Sequence, residues 1–261
     1  MILISQMSYQ TCSRSGFLSG AAGLAFLLSL PAAFCQSHEW GYDPEDGPSK
    51  WGALNPSFAA CAEGKHQSPV DVHGARAADL PAIEFKYRPA PLKVIDNGHT
   101  VQVNYDPGST ISVGGQTYQL IQFHFHRPSE NHLDGRTFPM ELHLVHQNSE
   151  GKLAVVGVFL KVGSENPAVK SEWAHIPKEK GKEVTVEGVT IDASQLLPKE
   201  RGYYTFEGSL TTPPCSEGVV WFVMKQPTEI SKSELNVFNH LYSHDARPVQ
   251  PLNDRAVQAS R

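Results

Sequence analysis

The chain has 261 residues, 22 Lys plus Arg against 27 Asp plus Glu, twelve His, 40% hydrophobic residues and a formal charge of -5. That length can bury one large core or two small ones, and a mixed composition without Gly or Pro runs excludes a disordered tail, a coiled coil and a collagen-like repeat. The acidic balance leaves no basic stripe to neutralise phosphates, which argues against a nucleic-acid partner.

In chain order the first feature is an uncharged start. Up to Ser37 the only charged side chain is Arg14, which precedes an apolar stretch from Gly16 to Leu30 and the small residues Ala32 and Ala33. This pattern predicts a secretory signal peptide over 1–37, cleaved between about 33 and 37, and a single mature domain over 38–261. The alternative is an uncleaved membrane anchor. It fits less well, because Gly, Ser and Ala dilute the stretch and Pro31 ends it short of about 20 strongly apolar residues. The mature chain is then expected to have no membrane span and to be exported: periplasmic in a host with an outer membrane, otherwise extracellular or on the cell surface. Cys12 and Cys35 fall in the leader region, which leaves Cys61 and Cys215 as a pair in an oxidising setting, expected to form a disulfide. Two free buried thiols become the better reading if the leader is not one.

The mature region carries no repeat, no low-complexity block and no linker, so one domain is expected. Short alternating or apolar runs predict strands at 92–95, 100–105, 110–113, 116–126, 140–147, 153–161, 184–186 and 219–225. Turn residues such as Asp96-Asn97-Gly98, Asp106-Pro107-Gly108 and Gly114-Gly115 bound them. Two helices are expected, at 166–175 and 231–242. The second opens with Ser231 and Glu234 at capping-box spacing and carries Leu235, Phe238 and Leu241 on one face.

Five of the twelve histidines fall between positions 124 and 146. On a strand of period two, Gln122, His124 and His126 share one face and Ile121, Phe123 and Phe125 the other. The next strand places Glu141, His143 and Val145 on one face and Leu142, Leu144 and His146 on the other. If the two strands pair, His124, His126 and His143 converge, and three neutral imidazoles suit Zn²⁺ with a fourth tetrahedral position open. A His-x-His pair alone is more often a solvated or structural pair. The third His, with carboxylate and amide side chains beside it, favours the metal reading. The spacing His124, His126, Glu130 also suits a cupin-like iron or manganese site, although the Gly-bearing second motif expected of one is missing around Pro139 and His143. His132, in the turn-rich stretch 128–135, is expected to be exposed. His38, His66, His73, His175, His240 and His244 have no local partner pattern.

Gln122-Phe123-His124-Phe125-His126, the run from Glu141 to His146 and Ser209-Leu210-Thr211-Thr212-Pro213-Pro214 together resemble the α-class carbonic anhydrases. Trp40-Gly41-Tyr42, Gln67-Ser68-Pro69-Val70, Asn97-Gly98-His99, the stretch 153–163, Trp221 and the run from Arg247 to Leu252 extend the resemblance over nearly the whole mature region. The leader and the cysteine pair resemble the exported bacterial members. The resemblance implies a mainly β single domain with a few short helices around a large central, mostly antiparallel twisted sheet. It implies an enzyme, a carbonic anhydrase, that reversibly hydrates CO₂ to bicarbonate and a proton. Zn²⁺ on His124, His126 and His143 would supply the attacking hydroxide, with Gln122 and Glu141 bonded to the far ring N–H groups. Thr211 would act as gatekeeper with Glu130 as its partner, Thr212 would line the mouth, and His99 would shuttle protons. Val145, Val155, Leu210, Val219 and Trp221 would wall the CO₂ pocket, and sulfonamide-type and anion inhibitors are implied as ligands. Monomer and homodimer are equally compatible.

The chain departs from the family's pattern at three places. Asn131 stands where many members have His after the Glu, Asp245 and Ala246 replace the Asn-Trp common in animal members, and Val101 and Gln102 differ from the shuttle-supporting positions of fast animal enzymes. The first two concern the outer hydrogen-bond network, and the last concerns proton transfer. A non-catalytic relative would be expected to have lost one or more of the three His, and all three are present.

Overall fold

A computed structural model describes residues 40–261, so the expected leader, with Cys12 and Cys35, lies outside the described residues. The strands are β1 (Asp71–Val72), β2 (Arg76–Ala78), β3 (Glu84–Lys86), β4 (Ala90–Asp96), β5 (Val101–Asn104), β6 (Thr110–Val113), β7 (Gln116–His126), β8 (His132–Leu133), β9 (Met140–Gln147) and β10 (Leu153–Val162). They continue with β11 (Val184–Ile191), β12 (Tyr203–Ser209), β13 (Glu217–Met224), β14 (Thr228–Ile230) and β15 (Gln258–Ser260). All but β1 and β8 join one 13-stranded sheet in the order β11-β4-β5-β7-β9-β10-β13-β12-β15-β2, with β14 on β10 and the β3-β6 pair against β7. The pairing is mostly antiparallel, as expected. It is nevertheless a mixed sheet, because β10 runs parallel to β13 and β14, and β15 runs parallel to β2.

The central strands β9 and β10 are buried along nearly their whole length, as their apolar runs require. On one face Leu120, Phe123, Phe125, Leu142, Leu144, Val156 and Val158 enter the large core. The opposite face gathers Val145, Val155, Phe159, Phe206, Val219, Trp221 and Val223 into a second, smaller cluster. That division sets the site on one side of the sheet and most of the hydrophobic stabilisation on the other.

The helices are α1 (Trp51–Leu54), α2 (Ala60–Glu63), α3 (Pro167–Trp173) and α4 (Lys232–Leu241). α3 starts where the Asn166 side chain accepts from the N–H groups of Ala168 and Val169, with Pro167 in the first turn. α4 has the expected capping box of Ser231 and Glu234 and buries Phe238 against Phe125. No helix of the described residues is long and apolar enough to cross a membrane. Cys61 at α2 and Cys215 in the turn between β12 and β13 form the expected disulfide, closing a separation of 154 positions.

Two local expectations are corrected. A register shift between Leu120 and Gln122 breaks the alternation, so Ile121 packs on the smaller cluster instead of sharing a face with Phe123 and Phe125. His132 is half-buried, not exposed, because it pairs with Asp71 as β8 runs parallel to β1.

Candidate metal centre

β7 and β9 are hydrogen-bonded neighbours with His124 opposite His143, which puts positions 124, 126 and 143 on the same face. One ring nitrogen from each lies within 4.8 Å of the others. His126 and His143 are buried, whereas His124 keeps an edge toward a cleft.

Each ring is held from behind. His124 Nδ1 lies 2.8 Å from Gln122 Oε1, and His126 Nδ1 lies 2.7 Å from the backbone carbonyl of Asp245. Both oxygens can only accept, so both Nδ1 atoms carry a proton, which leaves the two Nε2 atoms for the centre of the triad. His143 is turned the other way: its Nε2 lies 3.4 Å from Glu141 Oε1, too poorly aligned for a hydrogen bond, and its Nδ1 lies 3.8 Å from Glu130 Oε2, the oxygen that also approaches His126. The Asp245 contact is invisible in the sequence because any residue offers a carbonyl; only the fold brings it to His126.

The donor set fits a cation. Burial, then repulsion from the other two rings, holds His124 well below the usual imidazole range, and burial followed by His126 does the same to His143. Such rings are neutral and offer lone pairs. Buried His126 Nε2 has no hydrogen-bond partner, and it lies 3.5 Å from Glu130 Oε2, which also lacks one. Burial pushes the Glu130 carboxyl up to about 8, against the pull of the Thr211 hydroxyl and the Arg247 N–H, and pushes Glu141 up to about 7, against two bonds from Asn131. The guanidinium nearby, Arg247, is spent on Gln67 Oε1 and the carbonyls of Ser68 and Cys61. Ring nitrogens and carboxyls therefore crowd a buried point whose neighbouring guanidinium is hydrogen-bonded elsewhere, and a divalent cation matches it.

A cleft of about 110 Å³ opens at the triad, lined by His124, His126, Gln122, Thr212, His99 and Trp40 among others. The His99 ring stacks on Trp40 with centroids 3.7 Å apart and planes 11° from parallel. Its backbone is held by Asn97, whose Oδ1 accepts from the N–H groups of His99 and Thr100. Val145, Val155, Val219 and Trp221 sit together in the smaller cluster with Leu210 packed against it, and Trp221 meets His143 edge-on at 4.9 Å. These apolar residues adjoin the cleft rather than supply its lining.

Residues 46–261 match the model of the eukaryotic-type carbonic anhydrase family. The chain belongs to the α-carbonic anhydrases. It is 46% identical to the carbonic anhydrase of Nostoc sp. over 223 residues, covering 84% of each chain. The Neisseria gonorrhoeae carbonic anhydrase is also 46% identical, covering 88% of this chain and 93% of its own. Among solved structures, the α-carbonic anhydrase of Thermovibrio ammonificans in complex with sulfanilamide superposes with a TM-score of 0.81 at 43% identity, over 84% of this chain and 98% of that one. The cupin-like alternative is overturned: the fold is that of the carbonic anhydrases, and His143 supplies the third nitrogen of the triad.

Proposed function

We propose that this carbonic anhydrase holds Zn²⁺ on His124 Nε2, His126 Nε2 and His143 Nδ1 and reversibly hydrates CO₂ to bicarbonate and a proton. The observation that carries the reading is the convergence of three imidazole nitrogens, two of the rings being held through Nδ1 by acceptors behind them. Zn²⁺ there would lower the pKa of water toward about 7 and so supply hydroxide at neutral pH; carbonic anhydrase is the standard example of this chemistry, not a magnitude inferred from this chain.

The chain's own residues orient the reactants. The Thr211 hydroxyl bonds to the Glu130 carboxyl, which is also held at 2.8 Å by the Arg247 N–H. With its one proton directed to Glu130, Thr211 offers the reacting group only an acceptor. It therefore favours species that carry a proton, such as hydroxide, and disfavours bare anions. An ionised sulfonamide retains one N–H and passes the same filter, so sulfonamides and small proton-bearing anions are expected to inhibit. The apolar cluster of Val145, Val155, Leu210, Val219 and Trp221 suits CO₂, which has no charge to pair. Thr212 stands at the mouth.

The released proton needs a carrier, and His99 in the cleft wall is the group we assign to it. An imidazole can both accept and release a proton near neutral pH. His99→Ala is expected to slow CO₂ hydration by up to about 10²-fold in weak buffer, with the defect shrinking as imidazole is added. A slow rate that imidazole leaves unchanged would contradict the assignment.

Stopped-flow CO₂ hydration with and without a zinc chelator tests the whole reading. Activity that vanishes with chelation and returns with Zn²⁺ is expected; a folded, zinc-loaded preparation no faster than the buffer blank would sink it. We also read the chain as exported, supported by the Cys61–Cys215 disulfide and the uncharged start. N-terminal sequencing of the secreted protein should find a start between residues 34 and 38, and an intact Met1 would overturn this.

A further inference from the structure

The geometry points to Asn131 as a positioning residue for the metal, acting through the Glu141 carboxylate that stands behind His143. This rests on the metal reading above and extends it to a residue that reaches neither metal nor substrate. Asn131 is fully buried and bonds to both oxygens of Glu141: its side-chain Nδ2 donates to Oε1 at 2.8 Å and its backbone N–H donates to Oε2 at 2.8 Å. Oε1 is the oxygen that faces His143 Nε2.

The amide cannot turn over. Its Oδ1 accepts from the Val70 N–H at 3.0 Å. A flip would set oxygen against Glu141 Oε1 and an amino group against the Val70 N–H, losing two bonds and creating two repulsions in a buried place. The far side of the same oxygen is closed by Gly157 on β10, which pairs with His143; a Cβ at 157 would lie 2.8 Å from Glu141 Oε1. Asn131 from one side and bare backbone from the other thus leave the carboxylate a single seat.

An Asn131→Asp substitution keeps the shape but replaces the donor with a second carboxylate oxygen against Oε1. The expected result is a Zn²⁺ dissociation constant raised roughly 10- to 100-fold, measured by competition with a chelator of known affinity on folded protein. Asn131→Ala keeps the backbone bond and should fall between wild type and Asn131→Asp. Gly157→Ala presses on the same oxygen from the opposite side and should weaken Zn²⁺ binding in the same sense, so it decides the matter if Asn131→Asp does not fold. Unchanged Zn²⁺ affinity in folded Asn131→Asp, or in folded Gly157→Ala when the first variant fails, would show that Asn131 serves only the local fold. A wild-type protein that takes up no Zn²⁺ would instead overturn the metal reading itself, and this inference with it.

Discussion

His143→Ala is expected to lose the proposed zinc and to bring CO₂ hydration down to the buffer blank, yet to keep the fold. The ring reaches only the site: it meets His126, Trp221 and the Glu130 and Glu141 carboxyls on the cleft side of β9. The neighbouring Leu142 and Leu144, fully buried, hold β9 to the large core from the other face. The stability cost is therefore expected to stay within the ordinary range of about 1–3 kcal/mol. Metal content by mass spectrometry and a circular dichroism spectrum check the two halves separately. A full equivalent of zinc in the variant would move the metal elsewhere, and global unfolding would make the metal structural.

Replacing both Cys61 and Cys215 with Ser should cost about 2–5 kcal/mol of stability. The bridge closes 154 positions, so the unbridged chain gains a large freedom when unfolded. At about 2–4 °C per kcal/mol, the melting temperature is expected to fall by roughly 4–20 °C. The sulfurs sit in an apolar cluster with Trp51, but the polar contacts at the bridge are made by backbone oxygens, Cys61 to the Arg247 guanidinium and Cys215 to Gln67 Nε2, and Ser leaves those oxygens in place. Activity at 25 °C should accordingly stay near that of the bridged protein while the melting point drops. Thermal unfolding of both proteins, each with its hydration rate, provides the check; an unchanged melting temperature would mean that the unbridged chain stays restricted when unfolded.

Legibility followed the alternation of side chains. β6, β7 and β9 begin and end where the sequence pattern says, because each sets apolar residues against polar ones or runs fully apolar between clear turns. The triad came with them, since period two on adjacent strands is enough to bring 124, 126 and 143 to one face. β2 and β15, with the sequences Arg-Ala-Ala and Gln-Ala-Ser, carry no strand signal; they are strands because they pair with each other and β15 pairs with β12. β12 was missed for a related reason, its aromatic residues being split between the two clusters with Gly208 between them and the bulge at Ser209. At the site, what stayed hidden was held by backbone or by exchange of residue type. The Asp245 carbonyl behind His126 has no side-chain signature. Asn131 is visible in the sequence as a departure from the family's pattern, but its bonds to Glu141 and Val70 are visible only in the fold.

The place of β15 governs when the sheet can be completed. β2 joins it only through β15, so residues 76–78 wait for residues 258–260. Synthesis runs from the N-terminus, so residues 258–260, which seal the edge of β12, leave the ribosome after all the strands they complete. Ser260 also receives the Tyr203 N–H and the Lys225 ammonium, so β15 is bonded into the body of the protein. A chain lacking residues 258–260 would expose the row of unpaired backbone groups along β12, a template for pairing with other chains.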